Sequence, residues 1–169
     1  VSEAKANLFL ENGVNRISMG VQSLDEDLLD RLGRVHSRDM VFRSFRTLRD
    51  AGFRNINLDL MFAIPGQTEA IWERTLAEIL DFGSEHLSCY EVIYEEDTPL
   101  YEQLKAGEFD VDEALASDMY EILIDRLSQN GFEQYEIANF ARVTDQAAKG
   151  IPGYACRHNV NYWVGGEYL

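Results

Sequence analysis

The chain has 169 residues, of which 46% are hydrophobic, enough to bury one sizeable core. Its 30 acidic and 15 basic residues leave a net charge of −15, which argues against nucleic acid as a partner. No apolar run is long enough to span a membrane and no charged-then-apolar stretch opens the sequence, so neither a membrane span nor a secretory signal is expected. The two cysteines, Cys89 and Cys156, are too few for a disulfide framework and match no metal spacing, so a reducing, cytoplasmic setting is expected.

Along the chain, helices and strands alternate. Ser2 to Asn12 is predicted helical and stops at Gly13, a residue that suits the position after a helix end. Arg16 to Val21 reads as a short strand. Ser23 with Glu26 three residues on predicts a capping box, opening a helix that ends at Gly33. From Ser37, Val41, Phe45 and Leu48 recur at helical spacing until Gly52.

Asn55 to Ala63 is the next predicted strand. Thr68 then caps a helix with Trp72, Leu76, Ile79 and Leu80 on one face, closed by Gly83. His86 to Ile93 is a third strand, and Thr98-Pro99 opens a short helix. Asp112 to Asn130 is a longer helix with Leu115, Met119, Ile122 and Leu123 at core spacing. Phe132 to Phe140 reads as a fourth strand, 142 to 153 as a loop, and Ala155 to Leu169 as aromatic and irregular.

This order predicts an α/β fold with βαβ units and a mainly parallel sheet. The repeat fits a barrel, yet four strands cannot close one, and a complete barrel takes roughly 250 residues. The chain is therefore expected to be a piece of a longer protein.

Asp59 stands out because it interrupts an apolar strand that runs into Pro65-Gly66. A carboxylate among Leu and Phe costs several kcal/mol unless a partner meets it. Strand alternation puts Asn57, Asp59 and Met61 on one face and Ile56, Leu58, Leu60 and Phe62 on the other. The polar face should look into the mouth where βα folds gather ligands, with a structural salt bridge as the competing explanation. Gln22 follows the first strand and belongs either to that mouth or to an ordinary helix-entry turn. Arg34, in Gly33-Arg34-Val35-His36, offers a planar fork for a carboxylate or ribose hydroxyl, or is a solvated loop residue.

Glu95, Glu96 and Asp97 precede a helix N-terminus, where the dipole alone accounts for acids. His36 and His86 read as loop or strand-end residues. His158 is the better ligand candidate, since Cys156-Arg157-His158-Asn159-Val160-Asn161-Tyr162-Trp163 sets polar groups beside two aromatics, although a structural His–Tyr contact fits equally. The chain has no cysteine triad of iron–sulfur spacing, no glycine-rich phosphate loop and no nucleophile elbow. A barrel enzyme using Asp59 as general base remains open on the residues alone.

Asn15-Arg16-Ile17-Ser18-Met19-Gly20-Val21-Gln22-Ser23, the segment from Asn57 to Thr68, and His86-Leu87-Ser88-Cys89-Tyr90 resemble the radical S-adenosylmethionine family. The resemblance lies in the branch of oxygen-independent coproporphyrinogen III oxidases and heme chaperones (HemW type). Glu95 to Tyr101, Tyr135-Glu136-Ile137-Ala138-Asn139-Phe140 and His158-Asn159-Val160-Asn161-Tyr162-Trp163 resemble the chaperone-type members more closely. It extends over nearly the whole chain, and the motifs are specific when taken jointly.

The resemblance implies a partial (βα)6 barrel, with residues 1–141 as an incomplete barrel and 142–169 as a loop and the start of a C-terminal extension. It implies that Gln22, Arg34 and Asp59 contact S-adenosylmethionine, with Tyr90 beside the adenine and Ile93 on the same wall. It further implies a four-iron–four-sulfur cluster, whose three-cysteine motif is absent from this chain, so the chain by itself is expected to be catalytically inert. Heme or a porphyrinogen would be the partner, with respiratory enzymes as heme acceptors for a chaperone. An oxidase would instead convert propionates to vinyls.

Overall fold

In the computed structural model, which describes residues 1–145 and 151–167, seven helices and five strands are arranged about one sheet. They run α1 (Glu3–Glu11), β1 (Ile17–Gln22), α2 (Glu26–Arg31), α3 (Arg38–Ala51), β2 (Ile56–Phe62) and α4 (Glu69–Asp81). The series continues with β3 (His86–Glu91), α5 (Pro99–Lys105), α6 (Glu113–Gln129), β4 (Phe132–Glu136), β5 (Asn139–Arg142) and α7 (Arg157–Trp163).

The sheet order is β1-β2-β3-β5-β4. β1, β2 and β3 are parallel neighbours, each joined to the next by a helical crossover, as the alternating pattern requires. The sheet is open, with β1 and β4 at its edges. The architecture is the α/β partial barrel expected, with one correction at its far edge. Phe132 to Phe140 is not a single strand: it folds at Ile137 and Ala138, and β5 inserts antiparallel between β3 and β4. Glu136 makes the turn, its Oε2 accepting from the Ala138 N–H at 3.0 Å and from Asn139 Nδ2 at 2.7 Å. A side-chain carboxylate thus fixes a turn that has no glycine or proline.

Two further differences are local. Asp25, not Ser23, caps α2, accepting from the Leu28 N–H. Ser23 Oγ accepts from the Asp25 N–H instead, and Glu26 accepts from Arg38 N–H across the loop, so the capping box does not form. The segment from Ala155 on is not wholly irregular, since α7 lies within it. Residues 146–150 of the expected loop lie outside the described residues.

One face of the sheet carries the core. Leu58, Leu60, Phe62 and Leu87 pack against Val41, Phe45 and Leu48 of α3, Trp72, Leu76 and Ile79 of α4, and Met119 and Leu123 of α6. Trp72 is fully buried, with its ring 5.8 Å from Phe62 and its Nε1 donating to Met119 O at 2.9 Å. With the apolar residues of β2 committed to the helices, Asn57 and Asp59 are left to the other face.

Candidate functional site

That second face is polar across four strands. Asn57 and Asp59 of β2 meet Ser18 of β1 on one side and His86 and Ser88 of β3 on the other, and Asn139 of β5 extends the row. Ser18 Oγ donates to Asp59 Oδ2 at 3.0 Å, and Asn57 Nδ2 donates to Asp59 Oδ1 at 2.7 Å. Asn57 Nδ2 also donates to Ser18 Oγ at 2.7 Å. No cation pairs with Asp59 among the described residues, which removes the salt-bridge explanation for it. Neutral donors hold the half-buried carboxylate, and each of its oxygens accepts one hydrogen bond while having capacity for another.

Gly20 of β1 stands opposite Asp59, and the register slips by one residue between Gly20 and Gln22. Gln22 has φ 64, a left-handed conformation that ends the strand and turns its side chain back. A Cβ at Gly20 would lie 2.9 Å from Gln22 Nε2, so the amide occupies the space that a side chain there would fill. Gly20 shares a strand face with Ser18, two residues earlier, and the Gln22 amide is therefore on the Asp59 side of the sheet. The structure brings these two expected site residues together.

Tyr90 lies two residues beyond Ser88 on β3 and is 44% exposed. Burial pushes its phenol above the usual range, an effect that the hydrogen bond with Ser88 opposes and the Asp59 charge reinforces. Ile93, 76% exposed just past β3, joins Tyr90 on the wall of a cavity of about 560 Å3 between the end of β3 and α6, which Phe62, Cys89 and Tyr120 also line and Asp59 and Gln22 do not. Arg34 is exposed in the loop between α2 and α3, and no ion pair joins it to Asp59 among the described residues. Its loop is anchored nearby, because His36 Nε2 lies 3.0 Å from Val21 O at the end of β1.

His86 is the residue that sequence reasoning undervalued. It is fully buried at the start of β3, with Nδ1 2.5 Å from Asn57 Oδ1 and Nε2 2.6 Å from Tyr135 Oη. Burial, with a smaller contribution from the Arg16 charge, pushes its pKa down to about 3, so the ring is neutral near pH 7. Ser88 Oγ lies 3.0 Å from Asn139 Oδ1 and 3.2 Å from Asn57 Oδ1, tying the row together. The signal for this face was the period of two in Ser18-Gly20-Gln22, Asn57-Asp59 and His86-Ser88-Tyr90, visible once three strands are aligned.

The remaining candidates lie apart. His158 is exposed on α7. Glu95, Glu96 and Asp97 are exposed ahead of α5, whose N-cap is Thr98, and no three His, Cys, Asp or Glu side chains cluster as metal ligands among the described residues. Cys89 is buried on the helix-facing side of β3, where desolvation raises its pKa and keeps the thiol neutral.

Comparison with known proteins places this geometry in context. Residues 1–79 match the family model of the Radical SAM superfamily. The chain is 38% identical over 170 residues to "Heme chaperone HemW" of Bacillus subtilis (strain 168), covering 100% of this chain and 42% of that protein. It is 36% identical over 169 residues to "Radical S-adenosyl methionine domain-containing protein 1, mitochondrial" of Danio rerio, covering 99% of this chain and 36% of the relative. The chain thus spans about two fifths of the length of these curated relatives. The solved structure of the Escherichia coli coproporphyrinogen III oxidase HemN superposes with a TM-score of 0.72 over 86% of this chain and 34% of that one. Its sequence identity is 22%, so that likeness is one of fold.

Proposed function

From a chain that belongs to the radical S-adenosylmethionine superfamily, in the HemN/HemW-like branch, we propose a part of a heme chaperone that holds S-adenosylmethionine on the polar face of β1–β3. The observation that carries the reading is Asp59, a half-buried carboxylate met only by neutral donors on the open side of the sheet. Its unused acceptor capacity suits a ribose hydroxyl or the amine of the ligand. The Gln22 amide and the Arg34 guanidinium suit the methionine carboxylate, and Tyr90 with Ile93 supplies an adenine wall. The missing Cβ of Gly20 leaves the room that the amide uses, so the donor set fits this ligand.

The family in general couples S-adenosylmethionine to a four-iron–four-sulfur cluster, and the residues here do not fit that cluster. Such clusters need three or four thiolates held close together, whereas the chain has two cysteines, of which Cys89 is buried and neutral. No step of catalysis is therefore assigned to this chain's own side chains.

For the whole protein, delivery of heme to respiratory enzymes is the proposed role, in a cytoplasmic setting. Among the described residues no helix is long and apolar enough to cross a membrane. His158 is the proposed heme-facing ligand, with Tyr162 one helical turn away. The alternative is an oxygen-independent coproporphyrinogen III oxidase, which the fold likeness supports, while the identity to a heme chaperone over the entire chain favours the first.

Heme titration by absorbance on the full-length protein, run beside an assay for protoporphyrinogen formed from coproporphyrinogen III, separates the two. Saturable heme binding without product, weakened in His158→Ala, is expected. Product formation without heme binding would replace the chaperone reading with the oxidase one.

A further inference from the structure

The hydrogen bonds behind Asp59 form a single directed chain. It begins at the Cys156 backbone N–H, which donates to Tyr135 Oη at 3.0 Å. With its oxygen accepting there, the Tyr135 hydroxyl proton is directed at His86 Nε2, 2.6 Å away. A neutral imidazole that accepts at Nε2 carries its proton on Nδ1, and Nδ1 faces Asn57 Oδ1 at 2.5 Å. The Asn57 amide is thereby oriented with its NH2 toward Asp59 Oδ1 and Ser18 Oγ.

Both ends of this chain have fixed polarity. A peptide N–H can only donate, and a carboxylate can only accept. Between them lie three groups that could each be reversed: a hydroxyl rotor, an imidazole tautomer and an amide flip. Reversing any one leaves two donors or two acceptors face to face in a buried setting, which costs the desolvation of both groups. With Asn57 reversed, its carbonyl oxygen would oppose the Asp59 carboxylate directly. With Asp59 ionised, this arrangement satisfies every member of the chain.

We propose that His86 and Tyr135 are positioning residues that set the orientation of Asn57, and through it the direction and acceptor capacity of Asp59. The proposal rests on the reading of Asp59 as a ligand-binding carboxylate and extends it from the sheet face to the start of α7. Tyr135 is doubly fixed by that segment, since its ring centroid also lies 6.2 Å from that of Trp163. The hydroxyl of Tyr135 thus links the start of α7, which carries His158, to the crevice. The hydrogen-bond partners of Asp59 are Ser18 and Asn57 among the described residues, so Tyr135→Phe leaves the carboxylate's own contacts in place.

The test uses histidine-labelled protein, with the His86 signals assigned by their loss in His86→Asn. Two-bond nitrogen–proton correlation should show the wild-type ring neutral and protonated on Nδ1, and Tyr135→Phe, which removes the donor to Nε2, should move the Nε2 resonance toward that of an unbonded imine nitrogen. In equilibrium binding of S-adenosylmethionine, Tyr135→Phe and His86→Leu should each bind about tenfold more weakly, the scale of one lost internal hydrogen bond. His86→Asn retains an amide donor toward Asn57 and should recover most of that loss. An Nε2 tautomer in the wild type, or an unmoved Nε2 resonance in Tyr135→Phe, would overturn the relay. So would wild-type affinity in both Tyr135→Phe and His86→Leu while Asp59→Ala abolishes binding. If the wild type itself fails to bind the ligand, the reading of the crevice falls, and the tautomer measurement still decides the relay.

Discussion

At the scale of single residues, Asp59 is tolerated in an apolar strand because Ser18 and Asn57 supply donors without supplying charge. That distinguishes it from a structural ion pair, whose loss leaves a buried charge uncompensated. Gly20 gives a sharp check of the crevice. Because the atom that a new Cβ would meet is the end of the flexible Gln22 side chain, Gly20→Ala should displace that amide with little effect on stability. Weaker S-adenosylmethionine binding with an unchanged thermal midpoint is the expected result. His86 gives a second. Its folded pKa of about 3 lies below the ordinary 6.5, so between these values the unfolded chain binds a proton that the folded one excludes. Stability from this group is complete above pH 6.5 and falls as pH drops toward 3, by about 1.4 kcal/mol per pH unit for one proton. Urea unfolding at a series of pH values should show that slope in the wild type and a shallower one in His86→Asn. Asp59 was legible in the sequence because one acid in an apolar run is conspicuous. His86 was not, because a histidine at a strand's first position shows its partners only once the sheet brings β2 beside β3 and Tyr135 of β4 within reach across β5.

Among the elements, the end of the sheet remote from the Pro65-Gly66 turn is held by a second network. Arg49 of α3 donates to Gly83 O and Glu85 Oε1, each at 2.8 Å, and to Phe53 O at 3.1 Å, while Glu85 Oε2 accepts from the Ile56 N–H. One guanidinium thus joins the α3–β2 and α4–β3 connections, a fork that lysine cannot reproduce. Arg49→Lys should cost about 2–3 kcal/mol, the scale of charged hydrogen bonds, read as a lower urea midpoint with ligand affinity per folded molecule retained. Helix boundaries were largely legible: Ser37, Thr68 and Asp112 cap α3, α4 and α6 as their spacing predicts. The failures share a cause. Ser23 lost its role to Asp25 because Glu26 found a partner across the loop in Arg38. The β4–β5 hairpin was hidden because Glu136 and Asn139 make its turn through side-chain bonds where no glycine or proline marks it.

For the whole molecule, the sheet is open and one face of β1–β3 is polar, and the chain's two cysteines are fewer than the three of an iron–sulfur motif. Reconstitution of the 169-residue chain with iron and sulfide should leave no cluster absorbance after desalting. A stable chromophore would show that two cysteines 67 residues apart, Cys89 of them buried, do what their number and the burial of Cys89 argue against. The α/β class was readable from periodicity, since each βα unit carries its own caps and core spacing. The closing strands of the sheet depended on pairings between distant segments, which periodicity does not encode. The most direct measurement is a calorimetric titration of S-adenosylmethionine into the full-length protein and its Asp59→Asn form, which keeps the shape and removes the charge. Affinity reduced at least tenfold at an unchanged melting temperature is predicted, in line with the loss of charge-assisted hydrogen bonds. Equal affinities in the two proteins would contradict the assignment of this carboxylate to the ligand.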